Sequence, residues 1–266
     1  MTRLAALALA CLLFIHGTAF AKNAEIMLLP TRVVMEKNDR QGTIVIKNTG
    51  DATGNFTIEL VDMKMLETGI VVPYDAGETA QFSATSLIHI APKSMTLKPG
   101  ETQNVRLLLR KPETLEPGEY RTHLRVRLVD ENADVQDPGK ETGIQVKANL
   151  VIIIPIIVRH GATTLSMNID SPRLARDSSG TPIVEMYLAR EGNRSSMGDI
   201  TISCGQQVVK VFQGVAVYRP TSRRFISIPL DETPKGVDPS SCNLGISYVA
   251  QQKEGGGKLA ETKLSN

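Results

Sequence analysis

Few residues in this 266-residue chain have the types and spacing that catalysis requires. Beyond the N-terminal segment the histidines are His89, His123 and His160, and none has the H-x-x-x-H spacing of metal ligands or follows a serine or cysteine signature. The run from Gly255 to Lys258 resembles a phosphate loop only superficially, because Leu259 stands where a Ser or Thr would reach magnesium. The sequence therefore predicts no enzyme, no metal and no cofactor, and a hairpin turn at these glycines.

The N-terminal segment, residues 1–21, is typical of an export signal. Arg3 supplies a positive charge, an apolar stretch runs from Leu4 to Ile15, and Ala19-Phe20-Ala21 has the small-x-small pattern of a cleavage site. No other apolar segment reaches the roughly 18 to 20 residues that span a bilayer. We expect a mature protein outside the cytoplasm, without a membrane span.

Two cysteines, Cys204 and Cys242, lie in the expected mature chain. An even pair in an exported protein most often forms one disulfide. A metal site is the alternative, but two isolated cysteines lack the C-x-x-C spacing. The formal charge of +2 gives little support to nucleic acid as a partner.

Short alternating runs of apolar and polar residues, separated by turn residues, recur about every ten positions. This pattern is typical of β-sandwiches, and about seven strands on each side of Arg159 predict an all-β chain with two sandwiches. We expect domains at 22–160 and 161–266, joined by a hinge at Arg159 to Ala162.

The segment from Glu119 to Asp130 alternates cleanly between an apolar and a basic face. The basic face consists of Arg121, His123, Arg125 and Arg127. Because alternate residues of a strand point to opposite sides, we expect this strand to be half-buried, with its basic face toward water or an anionic group.

The longest β-branched run extends from Gly143 to Gly161 and predicts a strand. Pro155 lacks an amide donor and therefore suits an edge strand or a bulge. One face carries five apolar residues: Ile144, Val146, Ala148, Leu150 and Ile152. A long apolar edge strand is an aggregation hazard unless something covers it, so the sequence raises the question of what the cover is.

The first half of the chain, from Glu25 to Gly161, resembles the periplasmic chaperones of the chaperone–usher pathway, which assembles bacterial pili and fimbriae. The residues that carry the resemblance are Pro30 to Val34, Ser94 to Arg106, Pro117 to Leu124 and Ile154 to Gly161. The resemblance implies two immunoglobulin-like β-sandwiches at an angle, with a pilus subunit held in the cleft and later delivered to an outer-membrane usher.

The resemblance also implies how the strand is covered. The subunit lacks its last strand, and the chaperone lends its seventh strand to complete it, so the five apolar residues named above are the expected donors. The alternative is that these side chains face the domain's own core. Self-association of the free protein is a further way to cover the same edge.

In the best-known branch of the family, a first-strand arginine and a seventh-strand lysine bind the subunit's C-terminal carboxylate. Arg32 matches that arginine, whereas the place of the lysine falls near Pro155, and the nearest lysine is Lys147. This departure is similar to the non-classical, archaic branch. We expect Arg121 to share or take the role, because arginine can bind a carboxylate through two hydrogen bonds.

Two rival functions differ in class. A fimbrial structural subunit or adhesin usually has one sandwich with an exchangeable extension, and the two-domain length favours the chaperone. An exported enzyme on an immunoglobulin-like scaffold would need a polar constellation that the sequence does not contain.

Overall fold

The computed structural model describes residues 23–129, 150–231, 233–234 and 237–264. The strands of the first half are β1 (Ile26–Leu29), β2 (Val33–Met35), β3 (Gln41–Asn48), β4 (Gly54–Val61), β5 (Met63–Met65), β6 (Val71–Pro73), β7 (Ile88–Ala91), β8 (Ser94–Leu97), β9 (Thr102–Leu109), β10 (Gly118–Val129) and β11 (Val151–His160). Those of the second half are β12 (Leu165–Arg176), β13 (Pro182–Gly192), β14 (Ser196–Cys204), β15 (Gln207–Val217), β16 (Arg223–Pro229), β17 (Leu244–Ala250) and β18 (Lys258–Leu264).

The helices of the described residues are short 3₁₀ turns at Thr85–Leu87, Pro239–Ser241 and Gln252–Glu254. The all-β prediction is therefore confirmed. The expected export signal, three of the expected donors (Ile144, Val146 and Ala148) and Lys147 lie outside the described residues.

The first sandwich consists of a four-stranded sheet, in the order β1-β3-β9-β7, and a five-stranded sheet, in the order β2-β11-β10-β4-β8. Because successive side chains of a strand point to opposite faces, alternate residues of the two sheets fill a shared apolar core. The most buried members of this core include Ile44, Ile46, Val105, Leu107, Leu124, Val126 and Ile156.

The first segment of the chain changes sheets at Pro30. β1 pairs with β3 in one sheet, and β2 runs parallel to β11 in the other. Proline has no N–H and cannot continue a ladder of hydrogen bonds, which explains the break at this point. The register that pairs Val33 with Ile156 places Arg32 level with Pro155.

The second sandwich consists of a three-stranded sheet, β12-β13-β16, and a four-stranded sheet, β15-β14-β17-β18. Its core includes Val184, Met186, Leu188, Ile200, Ile202, Ile246 and Tyr248. The sandwich contains the predicted disulfide: Cys204 at the end of β14 is bonded to Cys242 just before β17, and their Cα atoms are 5.9 Å apart. In the loop-entropy account such a bond stabilises the fold by about 2–4 kcal/mol.

Candidate functional site

The first half of β11 has a free edge. β10 pairs with β11 along its whole length, whereas β2 pairs with it only from Ile156 to Val158. Among the described residues, positions 151–155 therefore have no strand partner on their outer side. Val151 and Ile153 are 41% and 37% exposed, so the free edge combines unpaired backbone groups with exposed apolar side chains.

The two described residues of the expected donor set lie on the inner face of this strand. Leu150 and Ile152 are half-buried and pack against the core of the first sandwich. Val151 and Ile153 occupy the opposite face, as the period of two requires. The donor role of Leu150 and Ile152 stays a prediction, and Val151 and Ile153 are residues of the same edge that sequence reasoning missed.

Arg32 lies on the wall of a groove of about 830 Å³ between the two sandwiches. The groove is lined from the first sandwich by residues 30–34 and Pro155, and from the second by Met197, Tyr218 and residues 251–253. The Arg32 side chain is 12% exposed, and its Nη2 lies 3.3 Å from Oε1 of Glu254. Its Nη1 donates to the sulfur of Met197. This groove begins where the free edge of β11 ends.

Arg121 lines a separate, small cavity of about 10 Å³, and Tyr218, which contacts Arg121, lines the groove. The guanidinium carbon of Arg121 lies 4.3 Å from the centroid of the Tyr218 ring. Nη2 of Arg121 donates to the carbonyl of Met63 at 2.9 Å, while Nη1 has no hydrogen-bond partner among the described residues. Burial lowers the pKa of Arg121, and the nearby Tyr218 opposes that shift. The structure therefore does not bring Arg32 and Arg121 together in one open site.

A loop that precedes β7 covers Arg121. The backbone N–H of Arg121 donates to the carbonyl of Phe82 at 2.9 Å, and Ser83 forms a parallel bridge with Arg121. The Phe82 ring lies 3.3 Å below the guanidinium carbon of Arg219, which comes from the second sandwich. Both Arg121 and His123 are buried, so the basic face of β10 does not meet water at these two positions. The other expected surrounding, an anionic group, stays a prediction.

A buried network of ion pairs around Arg159 joins the two sandwiches. Nε of Arg159 lies 3.1 Å from Oε2 of Glu119, and its Nη2 lies 2.5 Å from Oε2 of Glu254. Glu254 belongs to the hairpin between β17 and β18, so the second sandwich supplies a carboxylate to the first. Burial alone would lower the pKa of Arg159, but the two glutamates outweigh it and the pKa is raised. Ion pairs with Glu119 and Glu254 therefore hold Arg159, the predicted hinge residue, in place.

The hairpin β5–β6 makes a second set of contacts between the two sandwiches. The hydroxyl of Thr221 donates to the carbonyl of Met65 at 2.6 Å, and the N–H of Phe225 donates to the carbonyl of Glu67 at 2.6 Å. Nε of Arg223 also donates to the Glu67 carboxylate at 2.8 Å. Backbone and side-chain contacts therefore fix how the groove walls stand relative to each other.

The described part of the chain contains no group of three or more His, Cys, Asp or Glu side chains that could hold a metal ion. Within the same residues, no helix is long and apolar enough to cross a membrane.

No family model matches the sequence, and no curated protein matches it. Among the similar solved structures is a complex of the CsuC chaperone with the CsuE tip subunit, from archaic chaperone–usher Csu pili of Acinetobacter baumannii. The match is 14% identical, covers 90% of this chain and 98% of that chain, and has a TM-score of 0.47. The YadV chaperone is 12% identical, with 90% and 99% covered and a TM-score of 0.49. The E. coli chaperone DraB is 13% identical, with 91% and 96% covered and a TM-score of 0.48. At such identities none of them assigns a function to this chain.

Proposed function

We propose that this protein is a periplasmic chaperone that binds pilus subunits by lending them strand β11 and delivers them to an outer-membrane usher. The observation that carries the proposal is the free edge of β11 from Val151 to Pro155. The expected export signal at 1–21 supports the periplasmic location. The last strand of the first sandwich ends at His160 and the next begins at Leu165, which supports domains at 22–160 and 161–266.

An added strand on the free edge would satisfy the open N–H and C=O groups of β11, and these backbone hydrogen bonds give affinity in β-strand addition. The exposed side chains of Val151 and Ile153 would insert into the open core of the subunit and so determine how well the two surfaces fit. Each Val or Ile side chain that passes from water into a packed core contributes about 1.5–3 kcal/mol. A subunit that lacks one strand offers both the unpaired edge and the open core that these groups need.

Arg32 is the better-supported candidate for binding the subunit's C-terminal carboxylate. It lies on an open groove and level with Pro155, where the free edge ends. Nη1 of Arg121 is buried, and the cavity beside Arg121 would have to widen before a carboxylate could reach this atom. Its part in the anchor remains a proposal, as does that of Lys147.

Co-expression with a pilus subunit that lacks its last strand tests the chaperone role. The mature chain is purified from the periplasm, and the one-to-one complex is measured by size-exclusion chromatography. We expect Ile153→Asp to abolish the complex, because a charge on the free edge cannot enter an apolar groove. Val208→Asp is the matched control, since Val208 is 49% exposed on β15 of the second sandwich.

Circular dichroism of both variants shows whether the fold is intact. If the wild-type protein captures no subunit from several tested, or if Ile153→Asp and Val208→Asp bind equally well, the free edge of β11 does not bind subunits.

A further inference from the structure

The four-stranded sheet of the first sandwich turns one side toward the core and the other toward solvent. On β3 and β9, Ile44 and Val105 are buried, whereas Lys47 and Arg106 are exposed. Because directly opposite residues of paired strands share a side, the outward-pointing residues form four rows. We call these rows the outer face; they are Met27, Lys47 and Thr102; Leu29, Val45 and Asn104; Thr43, Arg106 and Ala91; and Gln41, Leu108 and His89.

The outer face exposes large apolar side chains at both of its ends. Met27 and Leu29 are 42% and 49% exposed at one end, and Leu108 is 42% exposed at the other. Rows on one side of a strand repeat every two residues, or about 6.8 Å, so the four rows extend over roughly 20 Å. Exposed apolar groups on a surface of this breadth mark a site of contact with a protein or a membrane.

The same face carries cations without matching carboxylates. Lys47 and Arg106 stand within the four rows, and the rows contain no Asp or Glu. Neither cation forms an ion pair with any residue that the structure describes. Their charges are therefore open to an anionic group from outside the protein.

The ends of the four strands do not reverse this balance. Within two residues of a strand end, the carboxylates are Glu25, Asp39 and Glu101, and the cations are Arg40, Lys93, Arg110 and Lys111. Two of these carboxylates already accept backbone N–H groups in turns, Asp39 from Glu36 and Glu101 from Lys98. The sheet and its rim together carry six cations and three carboxylates.

We propose that the outer face binds the surface of a bilayer that contains anionic phospholipids. Anionic headgroups attract cations that lie close to them, and the side chains of Met27, Leu29 and Leu108 would enter the boundary between headgroups and acyl chains. Lysine and arginine suit this boundary, because their methylene stems pack against apolar groups while the charge stays in water.

Other anionic partners fit the outer face less well. Single-stranded nucleic acid is held partly by aromatic side chains that stack on its bases, and the four rows contain no Phe, Tyr or Trp. A folded acidic protein would need a surface of matching shape, whereas a fluid bilayer adapts to the side of a sheet. The combination of free cations and aliphatic side chains therefore favours lipid.

The outer face is distinct from the free edge of β11, which belongs to the other sheet of the sandwich. Lipid and a pilus subunit would contact different sheets, so the inference goes beyond the proposed function and does not depend on it. If both hold, lipid binding would keep the protein at the membrane in which its usher lies.

Co-sedimentation with vesicles tests the lipid site. The mature chain is mixed with vesicles of phosphatidylglycerol or, as the neutral comparison, of phosphatidylcholine. We expect binding to phosphatidylglycerol to be at least about tenfold tighter. This preference should decline as the salt concentration is raised, because salt screens the surface potential.

Single variants locate the site. Lys47→Gln and Arg106→Gln should each weaken binding to phosphatidylglycerol by about fivefold, the effect of one cation near an anionic surface. Lys263→Gln is the matched control, since Lys263 is exposed on β18 of the second sandwich and its loss changes the net charge equally. Leu108→Ser leaves the charge unchanged and should also weaken binding, because apolar contact with the lipid is lost.

Circular dichroism shows whether each variant is folded. Equal binding to the two kinds of vesicle, or binding to neither, would overturn the proposal. So would an effect of Lys47→Gln and Arg106→Gln no larger than that of Lys263→Gln, and an unaltered Leu108→Ser would overturn insertion of the apolar side chains. None of these results bears on the chaperone role, because capture of a subunit is measured separately by co-purification.

Discussion

The guanidinium of Arg121 stacks on the ring of Tyr218 across the interface between the two sandwiches, with 4.3 Å between the guanidinium carbon and the ring centroid. Tyr218 is 7% exposed and belongs to an interface cluster with Met65, Ile157 and Ala216. A cation over an aromatic face is worth about 2 kcal/mol when water is excluded. The contact therefore links the position of β10 to that of the second sandwich.

Replacing the Tyr218 ring should reveal this contribution. We expect Tyr218→Leu to lower the free energy of unfolding by about 2–3 kcal/mol, because both the aromatic face and packing volume are lost. Tyr218→Phe keeps the ring and should lose less than about 1 kcal/mol. Urea denaturation followed by circular dichroism measures both. Equal losses in the two variants would show that the ring does not act through Arg121.

A side chain at Gly69, in the turn of the β5–β6 hairpin, would displace the guanidinium of Arg224. The φ of Gly69 is +85°, and a Cβ would lie 2.2 Å from Nε of Arg224. Gly77 has nearly the same φ, +84°, with nothing within 4 Å. Both alanine variants have the same backbone strain, but Gly69→Ala also displaces the guanidinium of Arg224, whose Nη1 donates to the carbonyl of Ala216 at 2.9 Å. Gly69→Ala should therefore be less stable than Gly77→Ala by about 0.5–1.5 kcal/mol, the usual worth of one hydrogen bond. Thermal or urea unfolding compares them, and equal stabilities would contradict the close approach.

Removal of Arg159 should be among the most damaging single changes. Arg159→Met leaves the carboxylates of Glu119 and Glu254 without their shared cation, and breaking a buried pair in this way costs about 3–5 kcal/mol. Lys210→Met removes a surface pair, in which Nζ lies 2.9 Å from Oδ1 of Asp231, and should cost about 0–1 kcal/mol. If urea denaturation gives similar values for the two variants, the network does not stabilise the fold.

His123 should make the protein less stable in acid. Burial, and to a lesser degree the charge of Arg121, lowers the pKa of His123 to about 3, whereas a histidine in the unfolded chain titrates near 6.5. Between these values the unfolded chain binds the extra proton. Stability is therefore complete above about pH 6.5 and falls as the pH drops toward 3, by at most about 1.4 kcal/mol per pH unit.

A pair of variants isolates this effect. His123→Gln should flatten the dependence of the free energy of unfolding on pH between about pH 6 and 4, relative to the wild-type protein. His89 is exposed, and His89→Gln should leave the dependence unchanged. The measurement is urea denaturation at several pH values. A wild-type slope that survives in His123→Gln would show that other groups cause it.

Local pattern predicted much of the fold. Alternation of apolar and polar residues identified strands such as β10 and β11, because burial of one face imposes the period of two directly on the sequence. The disulfide between Cys204 and Cys242 followed from the number of cysteines in an exported chain.

The site was harder to predict because its parts come from distant segments. No periodicity connects Arg159 with Glu254, and the glutamate stands before three glycines that indicate only a turn. The burial of Arg121 depends on the loop around Phe82 and on Arg219, which alternation within β10 cannot reveal. On β11, the sequence identified the strand but offered no means to tell the exposed pair Val151 and Ile153 from the half-buried Leu150 and Ile152, because all are apolar.

The pairing of Glu254 with Arg32 and Arg159 couples the unfolding of the two sandwiches. Each sandwich carries charges that only the other one neutralises, so a sandwich that melts alone leaves uncompensated ions at its partner's surface. The two halves should therefore melt as one cooperative unit, with a single calorimetric transition and equal calorimetric and van't Hoff enthalpies. Two resolved transitions would mean that the halves are thermodynamically independent.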